Sequence, residues 1–231
     1  MILIFDLFET IVNNSSIDFN RGLKPLWEEH YSDRCTFEEI KAYGEELYDH
    51  LLRLHEQGKE FAFVKEELPL YAERFGGEAL TMDAEEEADF LMLCNDMEPV
   101  QGVPEMLEDF AQAGIPMYVL SNSGFSAEAL RECLDRFGIG KYFKDVWSSA
   151  DHGRIKPDKE LFEQAIEQAL KNDPGETRDD ILFIGDTYKT DIIGAHNAGI
   201  RSVWIDRRKE ADSKKTATYI ISETEELRDI V

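Results

Sequence analysis

Several features that define common classes of protein are missing from this sequence of 231 residues. The three cysteines, Cys35, Cys94 and Cys133, show no Cys-x-x-Cys spacing, which argues against a disulfide framework or a zinc ribbon. The five histidines form no His-Glu-x-x-His pair, so we interpret them as surface or packing residues. No apolar run approaches the roughly 18 residues of a membrane span, and the segment from Met1 to Asp6 lacks a basic leader. We therefore expect neither a membrane helix nor a signal peptide, and a cytoplasmic location.

Positive charge is also scarce. The 25 lysines and arginines are outnumbered by 49 aspartates and glutamates, which gives a net charge of −24 at neutral pH. A field of this sign repels phosphate backbones and anionic lipid surfaces, so we expect no nucleic-acid partner and no membrane partner. The charge does not indicate disorder, because hydrophobic residues make up 42% of the chain. The length suits one large domain or one domain with a smaller insert, and leaves open whether the protein is a monomer or a homodimer.

The order of the predicted elements indicates the fold class. Residues 1–5 are a wholly apolar run, which is typical of a strand buried on both faces of a parallel sheet. After Pro99, amphipathic helices alternate with short apolar runs, the clearest of which are 116–120, 180–184 and 201–205. This alternation predicts an α/β fold with a doubly wound, Rossmann-like parallel sheet, formed by residues 1–13 and 99–231. Residues 14–98 instead carry apolar residues at three- and four-residue spacings, which predicts an inserted α-helical unit.

Polar residues collect where the predicted strands end. The four clusters are Asp6, Ser121 with Asn122, Lys156, and Asp186 with Asp191. One such cluster fits an ordinary loop or helix cap, but all four would share the crevice beyond the carboxyl ends of a parallel sheet. Carboxylates gathered there repel each other unless a proton or a cation intervenes, and oxygen-only ligands suit Mg²⁺. With a lysine and a hydroxyl nearby, the set predicts phosphoryl chemistry in which Asp6 forms an aspartyl-phosphate that water later hydrolyses.

At these residues the chain resembles the haloacid dehalogenase superfamily, most of whose members are Mg²⁺-dependent phosphatases. The resemblance spans nearly the whole chain, and the motifs occur in the family's order. The four motifs are Phe5-Asp6-Leu7-Phe8-Glu9-Thr10, Leu120-Ser121-Asn122, Arg154-Ile155-Lys156-Pro157-Asp158, and the segment from Phe183 to Asp191. Any one of these motifs is weak, whereas the ordered set is specific.

The resemblance implies a role for each motif residue. It implies that Asp6 is the nucleophile, that Ser121 binds the transferring phosphoryl group, and that Lys156 stabilises negative charge. Asn122, in the same motif as Ser121, is then assigned to substrate binding. The implied ligands of Mg²⁺ are Asp6, the backbone carbonyl of Phe8, Asp186 and Asp191. The inserted helical unit, residues 14–98, would be a cap that closes over the site and selects a small phosphorylated metabolite.

The first motif departs from the family at two positions. The second residue after the nucleophile is normally an Asp that protonates the leaving group, and here it is Phe8; the next residue, usually Gly, is Glu9. A general acid contributes roughly 10² to 10⁴ in rate, and it matters most for poor leaving groups such as alkoxides. The metal ligand at Phe8 survives the change, because a backbone carbonyl does not depend on the side chain. Successive side chains of an extended segment point apart, so we expect Glu9 to face the cap or a neighbouring loop.

Four hypotheses for the function follow. The favoured one is a Mg²⁺-dependent phosphohydrolase acting on leaving groups of low pKa, such as acyl or aryl phosphates, or using another acid. Dehalogenases of the family also lack the second Asp, but their fourth motif loses the metal acids that this chain keeps as Asp186 and Asp191. Phosphonoacetaldehyde hydrolase keeps Mg²⁺ and uses a cap lysine as a Schiff base. The lysines available here are Lys24, Lys41, Lys59 and Lys65. The alternative from another class is a catalytically weak phosphate-sensing or partner-binding protein on the same fold.

Overall fold

The structure is a computed structural model that describes residues 1–207, 209 and 215–231. Its strands are β1 (Ile2–Phe5), β2 (Val12–Ile17), β3 (Asn95–Pro99), β4 (Met117–Ser121), β5 (Phe143–Ser148), β6 (Ile181–Gly185), β7 (Arg201–Ile205) and β8 (Tyr219–Ile221). Its α-helices are α1 (Phe19–His30), α2 (Phe37–His55), α3 (Leu68–Phe75), α4 (Ala84–Cys94), α5 (Val103–Gln112), α6 (Ala127–Arg136), α7 (Lys159–Asn172) and α8 (Ile193–Asn197). Short 3₁₀ and π-helical turns connect some of them.

Six of these strands form one sheet in the order β5-β4-β1-β6-β7-β8, and every neighbouring pair is parallel. β1 lies at the centre because both of its edges are paired, with β4 on one side and β6 on the other. Parallel neighbours require crossover connections, which the helices between the strands supply. The predicted doubly wound α/β fold is therefore confirmed.

The apolar sequence of β1 follows from burial on both faces of this sheet. Leu3 and Phe5 belong to the core cluster that includes residues of α5 and α6. Ile2 and Ile4 belong to the cluster on the opposite face, with residues of α7 and α8. Because successive side chains of a strand point to opposite faces, a strand with helices on both sides needs an unbroken apolar run.

Helices α1 to α4 lie between β2 and β3 in the chain and have a core of their own. Thr36 caps α2 through a reciprocal capping box with Glu39, and Asp83 caps α4 in the same way with Glu86. These caps supply partners for backbone N–H groups that the first helical turn leaves without one. Within the described part of the chain, we find no helix that has both the length and the apolar character needed to cross a bilayer.

Residues 14–98, predicted as an inserted α-helical unit, contain α1 to α4 and also strand residues at both ends. β2 and β3 pair there as an antiparallel ribbon, with Val12 opposite Pro99 and Asn13 opposite Glu98. β2 reads Val-Asn-Asn-Ser-Ser-Ile and is exposed over its second half, so it lacks the apolar signal of a buried strand. After β8, a 3₁₀ helix spans Thr224–Asp229.

Candidate active site

The carboxyl ends of three neighbouring strands meet at one edge of the sheet. Asp6 follows β1, Ser121 is the last residue of β4, and Asp186 follows β6. The Asp6 backbone N–H donates to the carbonyl of Ile184 at 2.8 Å, which holds the first residue after β1 against β6. The topology thus brings together the strand ends that carry the polar residues of the sequence motifs.

The three acids predicted to bind a metal lie close together. Asp6, Asp186 and Asp191 each present a carboxylate oxygen, and these oxygens all lie within 4.8 Å of one another. Asp191 is 1% exposed, and its Oδ2 accepts a hydrogen bond from the backbone N–H of Thr187 at 3.0 Å. We call these three residues the carboxylate cluster.

Gly185 lets Asp191 pack against the end of β6. A Cβ atom at position 185 would lie 2.5 Å from Cγ of Asp191, a distance that real Cβ contacts do not show. Asp191 is buried and cannot swing into solvent without leaving its place in the carboxylate cluster. The glycine of the fourth motif is therefore required by this close approach.

Lys156 supplies the positive charge of the site. Its side chain is 2% exposed, and its Nζ lies 2.5 Å from Oδ1 of Asp6 and 2.7 Å from Oδ1 of Asp191. Asn122 holds the backbone of this lysine from both sides: the Lys156 N–H donates to Oδ1 of Asn122 at 2.7 Å, and Nδ2 of Asn122 donates to the Lys156 carbonyl at 3.3 Å. In this geometry, Asn122 positions Lys156.

The electrostatics of the site reflect one ammonium group among three carboxylates. Burial raises the pKa of Asp6 to about 7, and repulsion from Asp191 adds to this effect, while Lys156 opposes it. Burial also raises the pKa of Asp186, again with repulsion from Asp191. For Lys156, burial alone would lower the pKa, but attraction to Asp191 and Asp6 outweighs it and raises the pKa above the ordinary value. The lysine therefore stays charged.

The second motif lies beside Asp6. Phe5 of β1 is opposite Val119 of β4, so Ser121 lies two residues further along the neighbouring strand. Ser121 is fully buried. The N–H of Ser123, two residues after Ser121, donates to Oγ of Ser149 at 2.8 Å. This hydrogen bond stabilises the loop that follows β4.

The two unusual positions of the first motif have separate environments. Phe8 is half-buried against the apolar core and lines a narrow cleft with Leu91, Leu130 and Phe137. Glu9 has a φ of 58°, in the left-handed region that favours glycine.

The side chains of Glu9 and Thr10, in the same turn, both form hydrogen bonds. Oε1 of Glu9 accepts a hydrogen bond from the backbone N–H of Asn14 at 2.8 Å, so the carboxylate contacts β2. The expectation of an extended segment at Glu9 is wrong, because its φ of 58° is left-handed. Thr10 was not among the predicted site residues. It is fully buried, and its hydroxyl donates to Oδ2 of Asp6 at 3.2 Å. The signal in the sequence that could have identified Thr10 is its position four residues after Asp6.

The chain is similar to known proteins in both sequence and fold. Pyrimidine 5'-nucleotidase YjjG of Escherichia coli (strain K12) is 32% identical over 135 residues, which cover 58% of this chain and 56% of that protein. The chain thus spans about half the length of this relative. The solved structure of a HAD phosphatase from Thermococcus onnurineus superimposes with a TM-score of 0.62 at 20% identity, covering 99% of this chain and 96% of that one. A 2-haloacid dehalogenase from Pseudomonas syringae pv. Tomato DC3000 gives 0.70 at 21% identity, covering 100% and 98%.

The two structural similarities show a shared fold, and the sequence defines the family. The profile of the family described as haloacid dehalogenase-like hydrolase matches residues 3–205, a range that runs from β1 to the end of β7 and includes all four motifs. Since this range covers most of the chain, the protein belongs to the haloacid dehalogenase-like hydrolases.

Proposed function

We propose that the protein is a Mg²⁺-dependent phosphohydrolase that acts on a small phosphorylated metabolite through an aspartyl-phosphate at Asp6. The observation that carries the proposal is the carboxylate cluster with Lys156 inserted between Asp6 and Asp191. A nucleophilic carboxylate, a fixed cation and further acids at one crevice are the groups that phosphoryl transfer to an aspartate requires.

The donor set fits Mg²⁺. Asp6, Asp186 and Asp191 offer carboxylate oxygens within reach of one another, and the backbone carbonyl of Phe8 is a further oxygen from the same turn. Mg²⁺ prefers such hard oxygen ligands. Three carboxylates and one lysine leave a net charge of −2, which is consistent with the raised pKa values of Asp6 and Asp186. When bound, the cation would offset this excess charge and polarise the phosphoryl oxygens.

The protein's own residues fix the nucleophile. Lys156 contacts Oδ1 of Asp6 and Thr10 contacts Oδ2, so both oxygens of the carboxylate are held in one orientation. The ionised carboxylate attacks phosphorus, and the bond from phosphorus to the leaving group breaks. Water then cleaves the aspartyl-phosphate and regenerates Asp6. Throughout, Lys156 presents its charge to the developing negative charge, and the preorganised contact avoids rearrangement during the reaction.

Phe8 limits the leaving groups that this site can expel. Its ring offers no proton, and the neighbouring Glu9 is engaged with the backbone of Asn14. Substrates whose leaving group departs without protonation, such as acyl or aryl phosphates, suit the site best. Because the chain is similar to a protein named as a pyrimidine 5'-nucleotidase, nucleoside monophosphates are a second class of substrate to test beside acyl and aryl phosphates.

The remaining hypotheses have weaker support. A Schiff-base lysine must lose its proton readily, yet Lys65 pairs with Asp151 at 2.9 Å, and this hydrogen bond raises its pKa. Lys24 is exposed, and its Nζ lies 4.6 Å from the ring centre of Trp27. Retention of Asp186 and Asp191 still argues against dehalogenation. A phosphate-sensing protein would use the same geometry without turnover.

A screen of phosphorylated compounds, with and without Mg²⁺, tests the proposal. The expected result is Mg²⁺-dependent phosphate release by the wild type, and none by Asp6→Asn, which keeps the size and one oxygen of the side chain. Acid quenching should trap phosphate on the wild type alone. Wild-type rates in Asp6→Asn would contradict the assignment, and a rise in melting temperature without turnover would favour the phosphate-sensing protein.

A paired substitution tests the role of Phe8. Phe8→Asp should raise the turnover of alkyl phosphates, whereas Phe8→Leu, which stays apolar, should not. If Phe8→Asp and the wild type hydrolyse alkyl phosphates equally fast, the missing acid does not limit the substrate range.

A further inference from the structure

Glu60 is a buried acid outside the carboxylate cluster. It lies in the segment between α2 and α3 and is 3% exposed. Its Oε1 lies 2.8 Å from Nε2 of His55 and accepts the N–H of Phe61 at 3.0 Å. Its Oε2 accepts the hydroxyl of Ser149, the first residue after β5. A buried carboxylate is costly unless its oxygens are satisfied, and both oxygens of Glu60 are.

Ser149 connects this carboxylate to the loop of the second motif. Oγ of Ser149 accepts the backbone N–H of Ser123 at 2.8 Å. A hydroxyl has a single hydrogen and two lone pairs, so the hydrogen that goes to Glu60 leaves a lone pair free to face Ser123. The carbonyl of Ser123 also lies 3.1 Å from Oγ of Ser149, so the carboxylate of Glu60 decides which acceptor receives the hydroxyl hydrogen, while the N–H of Ser123 donates to Oγ.

The backbone around Glu60 contacts two catalytic loops. The N–H of Phe63 donates to the carbonyl of Gly124 at 2.7 Å, next to the second motif. The N–H of Glu60 donates to Gly153 at 3.3 Å, and the N–H of Ile155 donates to Gly58 at 3.2 Å, directly before Lys156. Residues 58–63 thus join the helical unit to the loops that carry Ser121 and Lys156.

We propose that Glu60 is a positioning residue for the phosphate-binding loop, residues 121–124, and that it acts through the hydroxyl of Ser149. The position of residues 58–63 and the conformation of the loop are then coupled. The loop reaches its productive geometry only when Ser149 donates its hydrogen bond to Glu60. The inference rests on the proposed function, because it assigns the loop to phosphate. It names a device that the sequence motifs do not contain, since Glu60 and Ser149 are separated by 89 residues.

Two conservative variants and their combination test the proposal in the full chain. Glu60→Gln keeps the size of the side chain. The N–H of Phe61 still needs an oxygen acceptor, so the amide NH₂ faces Ser149 and turns the hydroxyl hydrogen away from position 60. Ser149→Ala removes the connecting hydroxyl. Lys65→Met is the matched control, because it removes the exposed ion pair with Asp151, another contact between the helical unit and the loops after β5.

Two readouts separate positioning from a general loss of structure. By amide hydrogen exchange, Ser123 should exchange about tenfold faster in Ser149→Ala and several-fold faster in Glu60→Gln. In kinetics with a substrate from the screen, kcat should fall roughly tenfold in both variants while KM changes by less than about twofold, because the loop is misplaced and not removed. The double variant should match Ser149→Ala, since both changes break one connection. Lys65→Met should leave both readouts unchanged.

The contrary outcomes are distinct. Wild-type exchange of Ser123 in Glu60→Gln, or effects that multiply in the double variant, would overturn the positioning role. A wild type that releases no phosphate from any substrate would overturn the proposed function, while the exchange measurement would still decide whether Glu60 holds the loop.

Discussion

The charge of Glu67 gives a stability prediction with a defined pH range. Glu67 is the last residue of the π-helical turn that precedes α3, and the hydroxyl of Tyr71 donates to its Oε1 at 3.3 Å. The residue as a whole is half-buried, but its carboxyl lies inside the helical unit, and this burial raises its pKa from 4.5 to about 7. The hydrogen bond from Tyr71 lowers the pKa, but less than burial raises it.

The sign follows from proton binding. Between about pH 4.5 and pH 7 the folded protein holds a proton on Glu67 that the unfolded chain has released, so stability falls as pH rises through this range. The two pKa values differ by about 2.5, and each pKa unit corresponds to about 1.4 kcal/mol. Allowing for partial titration at pH 5, the free energy of unfolding should lose about 2 to 3 kcal/mol between pH 5 and pH 8 through this residue.

Glu67→Gln removes the ionisation and keeps an oxygen that accepts from Tyr71. We compare the free energy of unfolding of the variant with that of the wild type, measured by urea unfolding. This difference should favour the variant by about 2 to 3 kcal/mol more at pH 8 than it does at pH 5. Glu73→Gln, at an exposed position of α3, is the control and should show a difference within about 0.5 kcal/mol at both pH values. A stability difference between Glu67→Gln and the wild type that does not change with pH would refute the reasoning.

Two further predictions concern backbone positions of the site. Gly185→Ala should displace Asp191 and reduce phosphate release by roughly 10², while far-UV circular dichroism stays that of the wild type; full activity would show that the close approach of Cβ and Asp191 is not required. At position 9, where φ is 58°, Glu9→Gly should be more stable than Glu9→Ala by about 1 kcal/mol in urea unfolding, because both lose the side chain and only alanine keeps the strain. Equal stability of these two variants would show that the turn relaxes.

The parts of the fold predicted from the sequence are those with a dense local signal. β1 and β6 are wholly apolar because helices cover both faces of the sheet, and the acids that follow them mark where the strands end. The parallel order then places those ends together without any knowledge of side-chain contacts. This is why the positions of Asp6 and Asp186 at one edge follow from the sequence.

The antiparallel ribbon of β2 and β3 and the hydrogen bond between Ser149 and Glu60 have no such signal in the sequence. β2 is polar and half exposed, so its strand conformation depends on pairing with β3. The two strands are far apart in the sequence: Asn14 of β2 contacts Asn95 of β3, 81 residues later. Glu60 is charged, and a charged residue beside Gly58 is typical of an exposed loop. Only the tertiary structure shows that Ser149 and His55 surround it.

The distribution of charge sets a condition on substrate capture. A protein with a net charge of −24 repels a phosphate dianion at long range, and at physiological ionic strength attraction acts only within about 8 Å. At that distance the site itself contributes a charge of −2 when its three carboxylates are ionised and Lys156 is protonated. Lys156 alone cannot reverse this sign, because it is already paired with Asp6 and Asp191. Under the proposed function, phosphate and Mg²⁺ must therefore each raise the affinity of the other, by an equal factor.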